Sequence, residues 1–234
     1  MQSTERPVAL ITGAASGIGA ACVDRFTRGG WATAGLDLRS AKCDMGFELD
    51  VRDEISVNLA VSETLARFGR IDALVTAAGY YEEAIPVTEI SREQWDRMLS
   101  VILKGTVSTI AACLPAMLRR GQGAIVAISS ELAIGGGSED LHYVAAKGAL
   151  LGLIKSLAVE VAATGVRVNA IAPGPTDTPL LAPGSSWREP AYLDTLPLRR
   201  LVTPEEVAAT AWFLATEGGM YCGEVLSPNA GAVI

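Results

Sequence analysis

The chain has 234 residues, 50% of them hydrophobic and 19% charged, with a formal net charge of −7. That length suits one substantial domain, and the half-apolar composition excludes disordered, collagen-like and low-complexity chains. The acidic balance, with paired basics (Arg119-Arg120, Arg199-Arg200) but no basic stripe, argues against a nucleic-acid partner, and no run of about 18 uninterrupted apolar residues points to a membrane.

In chain order, the polar N-terminus Met1–Pro7 shows no signal-peptide pattern and leads into an apolar run, Val8–Ile11, that stops at Thr12-Gly13. Apolar residues at helical spacing run from Gly17 to Arg28 and end at Gly29-Gly30. Ala32–Leu36 reads as a strand closed by Asp37. Only Leu38–Gly46 separates it from a short strand, Phe47–Leu49, which is too little for a helical crossover. A helix over Val51–Phe68, a strand at Ala73–Thr76, a long helix over Ser91–Leu118 and a strand at Ala124–Ile128 follow. Then come a helix over Ser138–Thr164, a strand at Val166–Ile171, a helix over Pro204–Ala215 and a last strand at Glu224–Ser227. Buried strands alternating with helices predict an α/β fold: a single-domain, doubly wound parallel sheet over residues 1–234 with helices on both faces. The stretch at about 174–200 is rich in proline (173, 175, 179, 183, 190, 197) and cannot be one regular helix. Its Leu180, Leu181, Trp187, Tyr192 and Leu193 suggest a lid over an apolar substrate.

Four cysteines without CxxC spacing and a single His make a metal site unexpected. They suggest reduced thiols and a cytoplasmic setting.

Thr12-Gly13-Ala14-Ala15-Ser16-Gly17-Ile18-Gly19 lies between a strand and a helix, where glycines let the backbone approach a pyrophosphate held at the helix N-terminus. Asp37, at the end of the second strand, is placed to bond a ribose 2′-hydroxyl and to repel a 2′-phosphate, which selects NAD over NADP. Arg39 is the nearby basic residue that counts the other way; a plain strand-end cap is the competing role for Asp37. Tyr143 and Lys147, four apart on a predicted helix, share a face. An ammonium about 5–6 Å from a phenol favours phenolate by roughly 3 kcal/mol at an effective dielectric near 20, about two pKa units. Ser130, just past a strand end, can bond the substrate oxygen while Tyr143 exchanges its proton; the neighbouring Ser129 should point elsewhere. His142 is assigned to a substrate wall or the surface, with a second proton donor in the pocket as the alternative.

The glycine spacing resembles the TGxxxGxG signature of the short-chain dehydrogenase/reductase family, and the resemblance runs over essentially the whole chain. Asp50-Val51 is similar to the family's acidic-aliphatic pair beside the adenine, and Thr76-Ala77-Ala78-Gly79 stands in the place of its NNAG. Ser130, Tyr143 and Lys147 match its catalytic Ser and YxxxK. Pro173-Gly174, with Thr176 and Thr178 after it, matches its PG motif and the Thr that meets the nicotinamide carboxamide. The resemblance implies a Rossmann-like fold and a nicotinamide cofactor held by Gly13, Ser16, Gly17, Ile18, Gly19, Asp37, Asp50, Val51, Ala77, Gly79, Tyr143, Lys147, Pro173, Gly174, Thr176 and Thr178. It also implies a homo-oligomer, dimer or tetramer. The reaction it implies is hydride transfer between a secondary alcohol and a ketone.

Ile102 stands where the family usually carries an Asn that supports a proton-relay water, so a reduced or altered relay is expected. Thr76 and Ala77 replace both NNAG amides. Asp177-Thr178 is similar to dehydrogenases of cyclic diols, and a small or medium apolar alcohol is the expected substrate. Gly223–Asn229 resembles reductases of carrier-bound 3-oxoacyl thioesters, but Asp37, Thr164 and the acidic charge disfavour an acidic carrier. The departures at Ile102, Thr76 and Ala77 leave a cofactor-binding regulator with weak catalysis as a further alternative.

Overall fold

The computed structural model describes residues 6–82 and 84–234, so most of the polar leader, residues 1–5, lies outside the described residues. Strand β1, Val8–Thr12, is buried at every position, as expected of a strand covered on both faces. Helix α1, Gly17–Arg28, turns Cys22, Val23 and Phe26 to the sheet and hands over through Gly29 and Gly30 to β2, Ala32–Asp37. No helix separates β2 from β3, Met45–Glu48; Ala41 and Cys43 of the connection pack on the core instead.

Helix α2 begins at Glu54 and runs to Phe68, three residues later than the sequence pattern suggests. The Asp53 carboxylate accepts from the N–H of Ile55 (3.0 Å) and Ser56 (3.3 Å) and caps it there. Asp50 and Val51 are thereby left in a loop at the sheet's edge. After β4, Ala73–Thr76, the expected single helix over 91–118 is in three parts: α3, Arg92–Leu99; a π-helical turn, Ser100–Lys104; and α4, Gly105–Arg120. The stretch Arg92–Arg120 is apolar and long enough to cross a bilayer, yet α4 turns Ile110, Cys113 and Met117 into the core beside the sheet.

Strand β5, Gly123–Ile128, leads to the short α5, Leu132–Gly135, and then to α6, Leu141–Val161. Helix α6 was expected to start at Ser138, but Glu139 takes a left-handed φ of 62°, which no α-helix continues. Strand β6, Val166–Ile171, precedes the proline-rich segment, which holds only α7, Pro190–Leu193, and one 3₁₀ turn. Helix α8, Pro204–Thr216, opens with a capping box of Thr203 and Glu206, and β7 is Val225–Leu226.

All seven strands are parallel, in the order β3-β2-β1-β4-β5-β6-β7. One apolar cluster, with residues of α1 and α8, covers one face, and a second, with residues of α2, α4 and α6, covers the other. The doubly wound α/β architecture read from the sequence is therefore present. Strand order reverses between β1 and β4, and a crevice outside the carboxyl ends of the strands at such a point is where open α/β sheets bind ligands.

Candidate active site

At that crevice the chain must bend sharply after β1. Gly13 has φ of +68°, and a Cβ on it would lie 2.8 Å from the Ala77 carbonyl oxygen; a Cβ on Gly19 would lie 2.0 Å from the Gly13 oxygen. Both positions thus require glycine. Thr12 Oγ1 accepts from the N–H groups of Ala77 (3.1 Å) and Ala78 (3.0 Å), tying the turn after β4 to the end of β1. Ser16 is the N-cap of α1 but its side chain caps nothing, so the first-turn N–H groups receive no side-chain acceptor. A backbone cradle with free donors at a helix N-terminus fits a pyrophosphate.

Asp37 closes the far side of this cradle. Its carboxylate accepts from Ala15 N–H (3.0 Å) and Arg39 N–H (3.0 Å), while Arg39 Nη2 donates to Ser16 Oγ (3.1 Å). It therefore does cap the strand end, and it also lines the cleft. Asp50 is bound by Arg52 through Nε (2.9 Å) and Nη2 (2.5 Å), which holds its carboxyl below the usual range. Gly13, Ser16, Gly17, Ile18, Gly19, Asp37, Asp50, Val51, Ala77 and Gly79 all line this one cleft.

A second cavity adjoins it. The two share Ile18, Ala77, Gly79, Tyr80, Thr178 and Leu180, and the second adds Ser130, Tyr143, Lys147, Pro173, Gly174 and Thr176. The residues named from the sequence as catalytic or cofactor-binding thus all line one or other of these adjoining cavities. Leu180, Leu181 and Trp187 form its outer wall, with Trp187 Nε1 donating to Tyr81 Oη at 3.3 Å; Tyr192 does not line it and packs edge-on against Trp187 instead. His142 is fully buried, its Nε2 3.3 Å from Glu82 Oε2, and lines neither cavity, so no role expected of it holds. Among the described residues no group of His, Cys, Asp or Glu is arranged to hold a metal ion.

Ser129 and Ser130 diverge as strand alternation requires. Ser129 Oγ donates to the Lys147 carbonyl oxygen (2.8 Å), whereas Ser130 Oγ donates to Glu131 Oε2 (3.0 Å). Lys147 Nζ donates to the Ile128 carbonyl oxygen at 2.7 Å and lies 5.8 Å from the centre of the Tyr143 ring. Burial lowers the Lys147 ammonium to about 8.

The electrostatics of Tyr143 correct the expectation of a depressed phenol. Its pKa is pushed above the ordinary value, first by burial and then by the Glu131 carboxylate, with the Ser130 hydrogen bond opposing. The pairwise estimate from Lys147 omitted desolvation, which for a buried phenol favours the neutral form. It also omitted Glu131, the site residue that sequence reasoning missed. Glu131 is only 4% exposed, lines the same cavity, and is raised to about 7, chiefly by burial. The available signal was its place directly after Ser130, where any side chain is carried to the same strand end.

Ile102 falls in the π-helical turn, fully buried in a cluster with Met98, Tyr143, Ala146 and Leu150. The expected absence of a polar side chain beside Tyr143 is therefore filled by hydrocarbon.

The family model described as "Enoyl-(Acyl carrier protein) reductase" matches residues 13–232. A 3-oxoacyl-[acyl-carrier-protein] reductase of Thermotoga maritima is 34% identical over 98% of this chain and 99% of its own length. An L-fucose dehydrogenase of Mus musculus is 39% identical over 96% of this chain and 88% of its own. In a solved structure, the 3-ketoacyl-(acyl-carrier-protein) reductase from Brucella melitensis complexed with NADH superposes with a TM-score of 0.91 at 28% identity, over 97% of this chain and 98% of that one. Matches of this length and identity leave one assignment: the chain belongs to the short-chain dehydrogenase/reductase family and is an oxidoreductase acting on CH–OH groups.

Proposed function

We propose that the chain is an NAD-dependent dehydrogenase that interconverts a small or medium secondary alcohol and its ketone, with Tyr143 exchanging the carbinol proton. The observation that carries this reading is the convergence of Ser130, Tyr143 and Lys147 on one cavity continuous with the dinucleotide cradle. When bound, the nicotinamide supplies the hydride acceptor in oxidation and the hydride in reduction. Ser130 orients the substrate oxygen, and Lys147, with Nζ spending one proton on Ile128, keeps donors for ribose hydroxyls. Asp37 supports NAD over NADP, since an ionised carboxylate at the cradle's edge repels a 2′-phosphate.

Two relatives bear on the substrate. The L-fucose dehydrogenase favours a hydroxylated alcohol, while the Thermotoga reductase supports a 3-oxoacyl thioester as the second reading. Segment 174–200 serves as the lid, because Leu180, Leu181 and Trp187 wall the cavity. A homo-oligomer follows from the family resemblance, and a cytoplasmic setting from the reduced thiols expected of the four cysteines.

The test is reduction of NAD and of NADP across secondary alcohols, diols, sugars and 3-hydroxyacyl thioesters. Turnover with NAD on an alcohol, abolished by Tyr143→Phe with dinucleotide binding kept, supports the reading. A clear NADP preference, or full activity in the Phe variant, refutes it.

A further inference from the structure

Among the described residues lining the cavity, one carboxylate lies outside the family's constellation. Glu131 is buried, sits where β5 ends, and has its N–H fixed on the Pro173 carbonyl oxygen at 3.0 Å. Its Oε2 takes the proton of Ser130 Oγ at 3.0 Å, and Ser130 Oγ in turn accepts from Leu132 N–H at 3.2 Å. A hydroxyl has one proton and two lone pairs. The proton of Ser130 is thus committed to Glu131, one lone pair to Leu132, and the other is left to the Tyr143 hydroxyl, with which Ser130 also hydrogen-bonds. The side chains of Ile102, Ala146 and Leu150, which pack in one cluster with Tyr143, offer no acceptor.

We propose that Glu131 is the final proton acceptor behind Tyr143 and Ser130: in alcohol oxidation the carbinol proton passes to Tyr143 Oη as the proton of Tyr143 passes to Ser130 Oγ and that of Ser130 to Glu131 Oε2. This inference rests on the dehydrogenase reading above and gives the proton that reaches Tyr143 its way out. The carbinol O–H bond breaks and a Tyr143 O–H bond forms; the old Tyr143 O–H bond breaks as a Ser130 O–H bond forms, and the old Ser130 O–H bond breaks as a Glu131 O–H bond forms. The C–H electron pair leaves with the hydride, so the substrate is oxidised by two electrons and becomes the ketone. Ketone reduction runs the same chain backwards. Glu131 acts through Ser130 and sheds its proton to solvent through the open cavity between turnovers.

The groups facing Glu131 suit this role. Asp140, just before α6, and Tyr143 on α6 both couple to its charge, as does Tyr192 on α7, which burial and Glu131 together raise to about 12. Among the described residues no arginine hydrogen-bonds to it to hold it ionised, and burial pushes it up to about 7, within the working range of a base.

The experiment compares wild type, Glu131→Gln and Glu131→Asp in alcohol oxidation with NAD from pH 5 to 9. Gln keeps an acceptor oxygen for Ser130 but takes no proton. We expect kcat to fall about 10- to 100-fold in the Gln variant, with KM within about twofold and the kcat limb near pH 7 lost. Asp should keep the limb at a lower kcat. A second readout needs no turnover. Because folding raises the carboxyl pKa, the wild type loses stability relative to the Gln variant as pH rises from about 5 to 7, and the gap then levels off.

An unchanged rate and limb in Glu131→Gln, a uniform loss with the limb intact, or a melting difference independent of pH each overturns the proposal. If the Gln variant does not fold, a missing limb in the Asp variant does the same. A wild type inactive on every alcohol instead overturns the dehydrogenase reading, and this inference with it.

Discussion

Replacing Thr12 by Val tests whether one hydroxyl joins the two halves of the cradle. The side chain is 1% exposed, and its Oγ1 is the acceptor for both Ala77 N–H and Ala78 N–H. Val keeps the shape and removes the acceptor. Two partly buried N–H groups then lose their partner, at about 1–3 kcal/mol each. The lower half of that range applies, because the turn borders an open cleft, and the added methyl returns about 0.8 kcal/mol. The net loss is about 2 kcal/mol, which for a chain of this size lowers Tm by about 4–8 °C. Urea unfolding followed by tryptophan fluorescence gives the free energy, and calorimetry gives dinucleotide affinity. Affinity should fall about tenfold, because Ala77 and Gly79 belong to the wall shared by both cavities. Thr12→Ser, which keeps the oxygen, should recover most of both losses. A Val variant as stable as wild type, or a Ser variant as damaged as Val, refutes the reasoning.

Asp37→Ser should raise NADP affinity relative to NAD by at least about tenfold, since it removes the repelling charge and leaves Arg39 beside Ser16; titration calorimetry with both dinucleotides checks this. Ile102→Asn, by placing an amide beside Tyr143, should raise turnover modestly in the wild type and more in the Glu131→Gln background. It should cost about 1–3 kcal/mol of stability, read by urea unfolding against steady-state rates. Lys147→Met should abolish turnover yet make the chain more stable at pH 7. Burial lowers the ammonium from 10.5 to about 8, so wild-type stability from this group is depressed by about 3 kcal/mol below pH 8 and recovers as pH rises towards 10.5. Melting curves from pH 7 to 10.5 should show the two proteins converging.

Much of this site was legible before any coordinates, for a physical reason. Strands buried on both faces, such as β1 and β5, need unbroken apolar runs, and a phosphate cradle needs glycine where a Cβ would strike backbone. These demands act on residue type at fixed positions, so they leave a pattern. Less local demands left none. The π-helical turn at Ser100–Lys104 has no proline or glycine at its start, and the late onset of α2 depends on which of several carboxylates finds free N–H groups. The upward shift of Tyr143 depends on burial and on a carboxylate from another element, neither of which spacing along α6 reveals.

The brevity of the sheet's outer strands bears on self-association. The edges are β3, four residues long and ending on the exposed Glu48, and β7, only two residues long. Edges this short, with the Asp44 and Glu48 carboxylates flanking β3, offer another chain's strand too few unpaired groups to extend the ladder. Sheet-to-sheet growth is thus closed at both ends. Exposed apolar side chains stand instead on helix surfaces, Val107 on α4 and Val159 on α6 among them.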